Sequence, residues 1–276
     1  MEFNEYALSS EIIYKVTLAR EMDDEARESI SEKSPPDLLT LTRCLIGSDE
    51  FLRIWTIAKH LELIHHARLQ AVKRLLPPAR RILDLGGANA PLHRLGYPHR
   101  FDEIVLVDLP SDQRHDMYKD ITVSDVSAVG RITLRYGDMT KLEMFGDSTF
   151  DLVWSGQSIE HVPVDAAERM AAEAFRVLKS GGHFCLDTPN GRITSMHART
   201  AGLKMIHPEH FEEYRPDALR ALLQKAGFSI EAAYGIREMP ATSVSGRFDY
   251  LDFLRGKAIS SDVDASYIQF YTCLKA

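Results

Sequence analysis

The chain lacks long apolar runs, lacks any tract of lysine and arginine, and has only three cysteines. Its apolar stretches fall far short of the roughly 20 residues that a membrane-spanning helix needs. The opening MEFNEYALSSEIIYK mixes acids with apolar residues, unlike the basic-then-apolar pattern of a signal peptide, so a cytoplasmic location is expected. Cys44, Cys185 and Cys273 lie far apart in apolar surroundings. That spacing suits neither a disulfide framework nor a metal or redox pair, and they read as buried thiols in a reducing compartment. A formal charge of −7 makes the surface as a whole repel a phosphate backbone, which argues against nucleic acid as a partner. With 276 residues the chain can bury a core without staples, as one large domain or as a domain with a helical appendage.

What is present changes character along the chain. Residues 1–37 form an acid-rich lead-in ending at Pro35-Pro36. Residues 38–76 carry apolar residues at three-to-four spacing in LLTLTRCLI, DEFLRIWTIA and HLELIHHARLQAVKRLL, which predicts three helices ending before Pro77-Pro78. From 77 to 276 the period switches to short strand-like runs, RRILDLG, EIVLVDL, RITLRYG, FDLVWSG and GGHFCLDT, with helices predicted over 166–179 and 215–228. Strands alternating with helices imply an α/β, doubly wound, mostly parallel sheet. FSIEAAYGI and YIQFYTCLKA close the chain as two further strands, and the Gly-, Ser- and Pro-containing segment near 240–262 reads as an inserted loop or lid.

In such a sheet, ligands sit beyond the carboxyl ends of the strands. Asp108, with Leu109 after it, follows the second strand 24 residues beyond Asp84, where an acid accepts hydrogen bonds from the hydroxyls of a ribose. Asp138 and Met139 occupy the third strand end and suit an adenine ring. Ser155 and Gln157 follow the fourth strand, and Asp187 the fifth. The first strand leads into ILDLGGANAPL, where Gly86 and Gly87 are adjacent. Neither the G-x-G-x-x-G of a dinucleotide cradle nor a P-loop is present, so the ligand is expected to bring no phosphate to this turn.

The order of these pieces, from about residue 60 onward, resembles the class I S-adenosylmethionine-dependent methyltransferases. Asp84, Gly86, Ala88 and Ala90 stand at the acid and three glycine positions of that family's first motif. FDLVWSGQSIEHV is similar to its fourth-strand motif and RVLKSGGHFCLDTPN to its post-helix motif. The resemblance implies S-adenosyl-L-methionine as cofactor, a seven-stranded Rossmann-like sheet with an antiparallel last strand, and an N-terminal helical cap. It also implies that Gly86 admits the methionine part of the cofactor with Asp84 near its amino group; Gly87 and Asn89 complete this cofactor loop. The run H-x-x-H-F-x-E-Y before a Pro-Asp-Ala-Leu helix looks like methyltransferases acting on sugar hydroxyls, so the acceptor expected is a glycan or other small molecule.

Transfer of the activated methyl to a hydroxyl requires alignment and a group to receive the proton. His161, just beyond the fourth strand, is the first candidate for that base, and Glu160 beside it reads as structural. His207 and His210 precede the last large helix as further catalytic candidates. A metal held by them with Glu209 or Asp187 is weighed and not assigned, because no H-E-x-x-H pattern is present. Trp55, Tyr214 and Phe211 are available for a sugar face, while Trp154 reads as core. Methylation of carbon or nitrogen in a small metabolite such as a quinone precursor is the alternative, and a non-catalytic cofactor-binding protein is a third reading. A nicotinamide reductase lacks its Tyr-x-x-x-Lys pair here, and the DNA-base methyltransferase reading lacks its Pro-Pro-aromatic motif. Self-association as a homo-oligomer is left open.

Overall fold

Residues 13–15, 17–18, 22–23, 38–87, 90–114 and 131–276 are described by a computed structural model. Helix α1 (Leu38–Ile46) is followed by α2 (Asp49–Leu75). The Ser48 hydroxyl caps α2 by accepting the Phe51 N–H at 3.2 Å. Periodicity alone suggests two helices where α2 runs unbroken. Neither glycine nor proline occurs between Asp49 and Leu75, so nothing interrupts its hydrogen-bond ladder. The chain divides into two compact units, Met1–Leu63 and Ile64–Ala276. Within the first, Leu18, Leu41 and Leu45 pack together. Cys44 is exposed, contrary to the expectation of a buried thiol, because the buried stripe of α1 runs through Leu41 and Leu45. Cys185 and Cys273 are buried as expected, and burial pushes the Cys273 thiol up to about 12.

In the second unit, the apolar runs fold as β1 (Arg81–Leu85), β2 (Glu103–Asp108), β3 (Arg131–Tyr136), β4 (Phe150–Gly156) and β5 (Leu178–Pro189). The short helix α3 (Pro91–Arg94) follows β1, α4 (Val164–Val177) precedes β5, and α5 (Gly191–Ala201) and α6 (Pro216–Lys225) come after it. Next are β6 (Ser229–Glu238), α7 (Pro240–Ser245), α8 (Asp252–Arg255), β7 (Ile259–Ser260) and β8 (Ser266–Leu274). The sheet order is β3-β2-β1-β4-β5-β8-β6-β7. The first five strands are parallel, and β8 lies antiparallel between β5 and β6. This is the expected doubly wound sheet with one strand more than seven. The additional strand is the two-residue β7, which pairs with β6 from within the 240–262 segment. That segment also forms α7 and α8, joined by the buried Asp252 carboxylate, which accepts the Ala241 and Thr242 N–H groups at 3.1 and 2.7 Å.

Helix α4 turns Ala167, Met170, Ala171, Ala174 and Val177 onto the sheet at helical spacing, where they join Leu83, Val105 and Val153 in one core. Leu219, Leu222 and Leu223 of α6 reach the same core, and Gly227 closes that helix at φ +102°. Among the described residues no helix is long and apolar enough to cross a membrane.

The junction after β5 is bonded to several downstream segments. Asn190 Nδ2 donates to the carbonyls of Val263 and Ser266 at 2.9 and 2.8 Å, and its Oδ1 accepts the Arg192 N–H, capping α5. The Gly191 N–H donates to the Tyr214 carbonyl at 2.9 Å, and Gln269 Nε2 donates to the same carbonyl at 2.7 Å. A Cβ on Gly191 would collide with the Glu213 carbonyl. Gly191→Ala is therefore expected to destabilise the fold by about 2–3 kcal/mol, read as a lowered denaturant midpoint at unchanged slope. A midpoint equal to that of the wild type would show that this approach is not required.

Candidate active site

The carboxyl ends of β3, β2, β1, β4 and β5 carry, in spatial order, Asp138, Asp108, Gly86, Gln157 and Asp187, which the sequence spreads over a hundred residues. After β1 the chain turns at Gly86, with φ +70°. A Cβ there would lie 2.5 Å from the Ser158 hydroxyl, which itself donates to the Leu85 carbonyl at 3.0 Å. At Gly87 a Cβ would meet the Asp84 carboxyl carbon at 2.8 Å. Asn89 falls outside the described residues. Ala90 is buried in the left-handed region at φ 50°, and donates its N–H to the Gly87 carbonyl at 2.7 Å. Gly86, Gly87 and Ala90 thus lie close about Asp84, whose Oδ2 accepts the Leu92 N–H at 3.2 Å and whose Oδ1 has no hydrogen-bond partner among the described residues. Burial drives the Asp84 carboxyl up to about 8.

Asp108 sits at the end of β2 with its Oδ1 accepting the Leu109 N–H at 2.7 Å and Arg114 Nε 3.6 Å away. Leu109 itself is exposed. Asp138 uses Oδ1 to accept the Thr140 N–H at 2.8 Å, and Met139 packs against the core. Both acids therefore shape their own turns and also border the sheet edge. Ser155 is buried with no partner for its hydroxyl among the described residues. Gln157 takes the left-handed conformation at φ 58°, its N–H donating to the Asp187 carbonyl at 2.9 Å and its Nε2 to Asp187 Oδ1 at 3.1 Å. The Asp187 carboxylate also receives Arg68 from α2, through Nε at 2.7 Å and Nη2 at 3.0 Å. Asp187 is thus held from two sides, by Arg68 and by Gln157.

The three candidate histidines come together although 46 residues separate His161 from His207. A 3₁₀ turn, Ile159–His161, carries His161 beyond β4, with ring centroids 5.7 Å from His207 and 4.9 Å from His210. His207 and His210 lie 5.1 Å apart. The Phe211 N–H donates to the Glu160 carbonyl at 2.8 Å, which brings the two segments side by side. Glu213 Oε1 receives the His210 Nδ1–H at 2.8 Å and the Ile206 N–H at 2.9 Å, and its Oε2 receives the Thr194 hydroxyl. Burial raises the Glu213 carboxyl, but the bonds from His210, Thr194 and Ile206 more than reverse this and leave it below its ordinary range. Burial, followed by electrostatic interaction with His210 and His207, lowers His161 to about 4. His161 is thus a neutral imidazole at pH 7. Glu160 is buried and raised by burial to about 7, with Oε2 accepting the Thr188 hydroxyl at 2.9 Å and Oε1 unpartnered among the described residues. Of the aromatic candidates, Trp154 and Tyr214 are buried, whereas Phe211 is exposed beside His210.

Sequence reasoning missed Arg68, Ser158 and Glu213. No local pattern marks Arg68, whose partner lies 119 residues away. Glu213, three residues after His210 within the H-x-x-H-F-x-E-Y run, had a signal in that spacing.

A family model described as "Methyltransferase domain" matches residues 58–233, well over half of the chain. The chain is 37% identical over 120 residues to a "probable S-adenosylmethionine-dependent methyltransferase" of Mycolicibacterium smegmatis, a match covering 43% of this chain and 44% of that protein. It is 30% identical over 125 residues to the sarcosine/dimethylglycine N-methyltransferase of Halorhodospira halochloris, covering 44% of this chain and 42% of that protein. The matches therefore span less than half the length of these relatives. The crystal structure of an S-adenosylmethionine-dependent methyltransferase from Thermotoga maritima shares the fold, with a TM-score of 0.54 at 19% identity over 82% of this chain and 98% of that one.

Burial of Asp84 has a measurable consequence. The folded chain keeps this carboxyl protonated up to about pH 8, whereas its ordinary value is 3.8. Between these values the folded state binds more protons than the unfolded state, so stability falls as pH rises through the window. Glu160 acts in the same sense up to about pH 7. Chemical denaturation of the ligand-free protein should show a lower midpoint at pH 8 than at pH 5.5, and Asp84→Asn should reduce that difference. An equal difference in the variant would remove Asp84 as its source.

Proposed function

The chain belongs to the S-adenosylmethionine-dependent methyltransferases, with S-adenosyl-L-methionine as cofactor, and from that premise we propose that it transfers the methyl group to a hydroxyl of a sugar, glycan or other small molecule. The observation that carries the choice of oxygen is the cluster of His161, His207 and His210 beyond β4. A hydroxyl must lose its proton as the new bond forms, so a site for it needs basic groups close to the reacting oxygen.

The residues present fit the cofactor. Asp84 Oδ1 and the Ser155 hydroxyl are buried polar atoms on the adjacent strands β1 and β4 that lack partners among the described residues, at the point where strand order reverses. Asp84 is suited to the cofactor's amino group, which would favour its charged form. Gly86, with Gly87, lets the backbone come close, and Asp108 is placed to accept the ribose hydroxyls, with Leu109, Asp138 and Met139 around the base. Ser155 and Gln157 border the methyl-bearing end. The cofactor supplies an already activated methyl on sulfur. What remains for the chain is to align the acceptor and to assist the loss of its proton. His161 alone, lowered to about 4, is a weak proton acceptor, so the cluster acts as a unit.

Methylation of nitrogen is the second reading, favoured by the similarity to a sarcosine/dimethylglycine N-methyltransferase. An amine attacks as its free base and has no need of a strong base in the transition state. Release of S-adenosylhomocysteine, followed across parallel panels of hydroxylated sugars and small amines, separates the two. Turnover confined to the amines would reject oxygen as the acceptor atom.

Within the same assay, His161→Ala should lower turnover about 100-fold while S-adenosylhomocysteine affinity stays within about threefold. Asp108→Ala should do the reverse, weakening that affinity by about 10- to 100-fold through loss of charged hydrogen bonds to the ribose. If His161→Ala instead weakens cofactor binding and leaves saturated turnover intact, His161 belongs to the cofactor site.

A further inference from the structure

We propose that His161, His207 and His210 form a binding site for a divalent transition-metal ion of the zinc type. One ring nitrogen from each lies within 4.8 Å of the others, and each of the three residues keeps partial exposure to solvent, although the His210 side chain itself is buried. Nitrogens that share a tetrahedral zinc at 2.0–2.1 Å stand roughly 3.3 Å apart, so the cluster closes on an ion by small rotations of the His161 and His207 side chains toward the His210 ring. No carboxylate is needed among the ligands.

The shell behind the rings supports this reading more than the ring distances do. A metal-ligating histidine characteristically donates its other ring N–H to a carboxylate or a backbone carbonyl, which fixes the tautomer and aims the free nitrogen. His210 does so to Glu213, with both side chains buried (6% and 7% exposed). His161 has a hydrogen bond with the Glu209 backbone. His207 Nδ1 accepts the Glu209 N–H over a long 3.3 Å, a contact that ligation through this nitrogen would replace. Three imidazoles with an anionic partner behind one of them suit zinc and related ions, whereas magnesium requires oxygen ligands.

Three protein ligands leave one tetrahedral position open, as in catalytic rather than structural zinc sites. The catalytic half of the inference rests on the proposed transfer to oxygen. The acceptor hydroxyl at the open position gives its proton to solvent water, and its oxygen forms a bond to the methyl carbon. The carbon–sulfur bond breaks with its electron pair remaining on sulfur, yielding the methyl ether and S-adenosylhomocysteine. The ion lowers the cost of the first event, which a weakly basic imidazole does poorly.

The test uses the full chain, stripped with a chelator and titrated with Zn²⁺ and with Co²⁺ as a visible-absorbing substitute. Binding of one ion per chain with a tetrahedral Co²⁺ spectrum, undisturbed by excess Mg²⁺, is expected. His161→Ala and His207→Ala should each weaken Zn²⁺ binding at least ~100-fold, and Glu213→Gln by ~10- to 100-fold. S-adenosylhomocysteine binding by the same variants reports that they are folded; if Glu213→Gln unfolds, the two histidine variants decide alone. No stoichiometric binding, or equal binding by the wild type and both histidine variants, overturns the site. A chain that takes one Zn²⁺ but methylates only amines overturns the transfer to oxygen and upholds the site. One that methylates hydroxyls and binds no Zn²⁺ does the opposite.

Discussion

The buried Glu213 carboxylate takes hydrogen bonds from Thr194 in α5, from the backbone at Ile206 and from the His210 ring, and so ties together a segment that has no helix or strand of its own. Charge-assisted bonds of this kind contribute about 1.5–3 kcal/mol each where the alternative is a buried group without a partner. Connections this long between elements are ordinarily mobile or functional. Here the segment is also fixed at Glu160 through the Phe211 N–H and at Gly191 through the Tyr214 carbonyl. Two histidines on it consequently face a third, carried by the far side of the sheet edge, in a defined arrangement. Without the Glu213 carboxylate, the His210 ring would lose its orientation and the Ile206 N–H its partner.

A second constraint operates where β1, β4 and β5 end. Three acids are buried there, Asp84, Glu160 and Asp187, yet only Asp187 is paired with a described cation, Arg68. The other two are pushed toward their neutral forms by burial. Beside them Ala90 and Gln157 hold left-handed backbone conformations that residues with a Cβ adopt at a cost of about 1–2 kcal/mol each. Such strain persists only where surrounding bonds over-determine it. At Gln157 those bonds are the backbone and side-chain contacts to Asp187, which Arg68 in turn immobilises.

How much of this was legible in the sequence depended on range. Strand ends are local events, so a short apolar run closing on an acid located Asp84, Asp108 and Asp187, and the right-handed crossover rule then placed them along one edge. The resemblance to class I methyltransferases rested on those same local motifs. Facts that need two distant segments were not legible. The Arg68 to Asp187 pair joins a helix to a strand 119 residues away, and His161 meets His207 where the Glu160 carbonyl accepts the Phe211 N–H. Periodicity also failed where the decisive property was an absence: α2 runs on because no residue stops it. Cys44 misled because an apolar neighbourhood in sequence is not the buried face of a helix.

The chemistry of the glycine turn follows from the same bookkeeping of backbone donors. A turn between a strand and a helix recognises phosphate when its N–H groups are free and a helix N-terminus points at the anion. In this chain the N–H groups of Gly86 and Gly87 both donate to the Val107 carbonyl, at 2.9 and 3.1 Å. Ala90 donates to Gly87, Pro91 has no N–H, and the Leu92 N–H is taken by Asp84. These donors are therefore spent on carbonyls of β2 and of the turn and on Asp84, whose Oδ1 is buried without a partner among the described residues. A phosphate would meet no free donor among these residues and would face a buried acid. A ligand bearing an ammonium group finds the complementary situation: its charge would draw Asp84 into the ionised form that burial alone opposes. The missing glycines of the motif are thus compatible with a turn that works through Asp84 rather than through exposed amides.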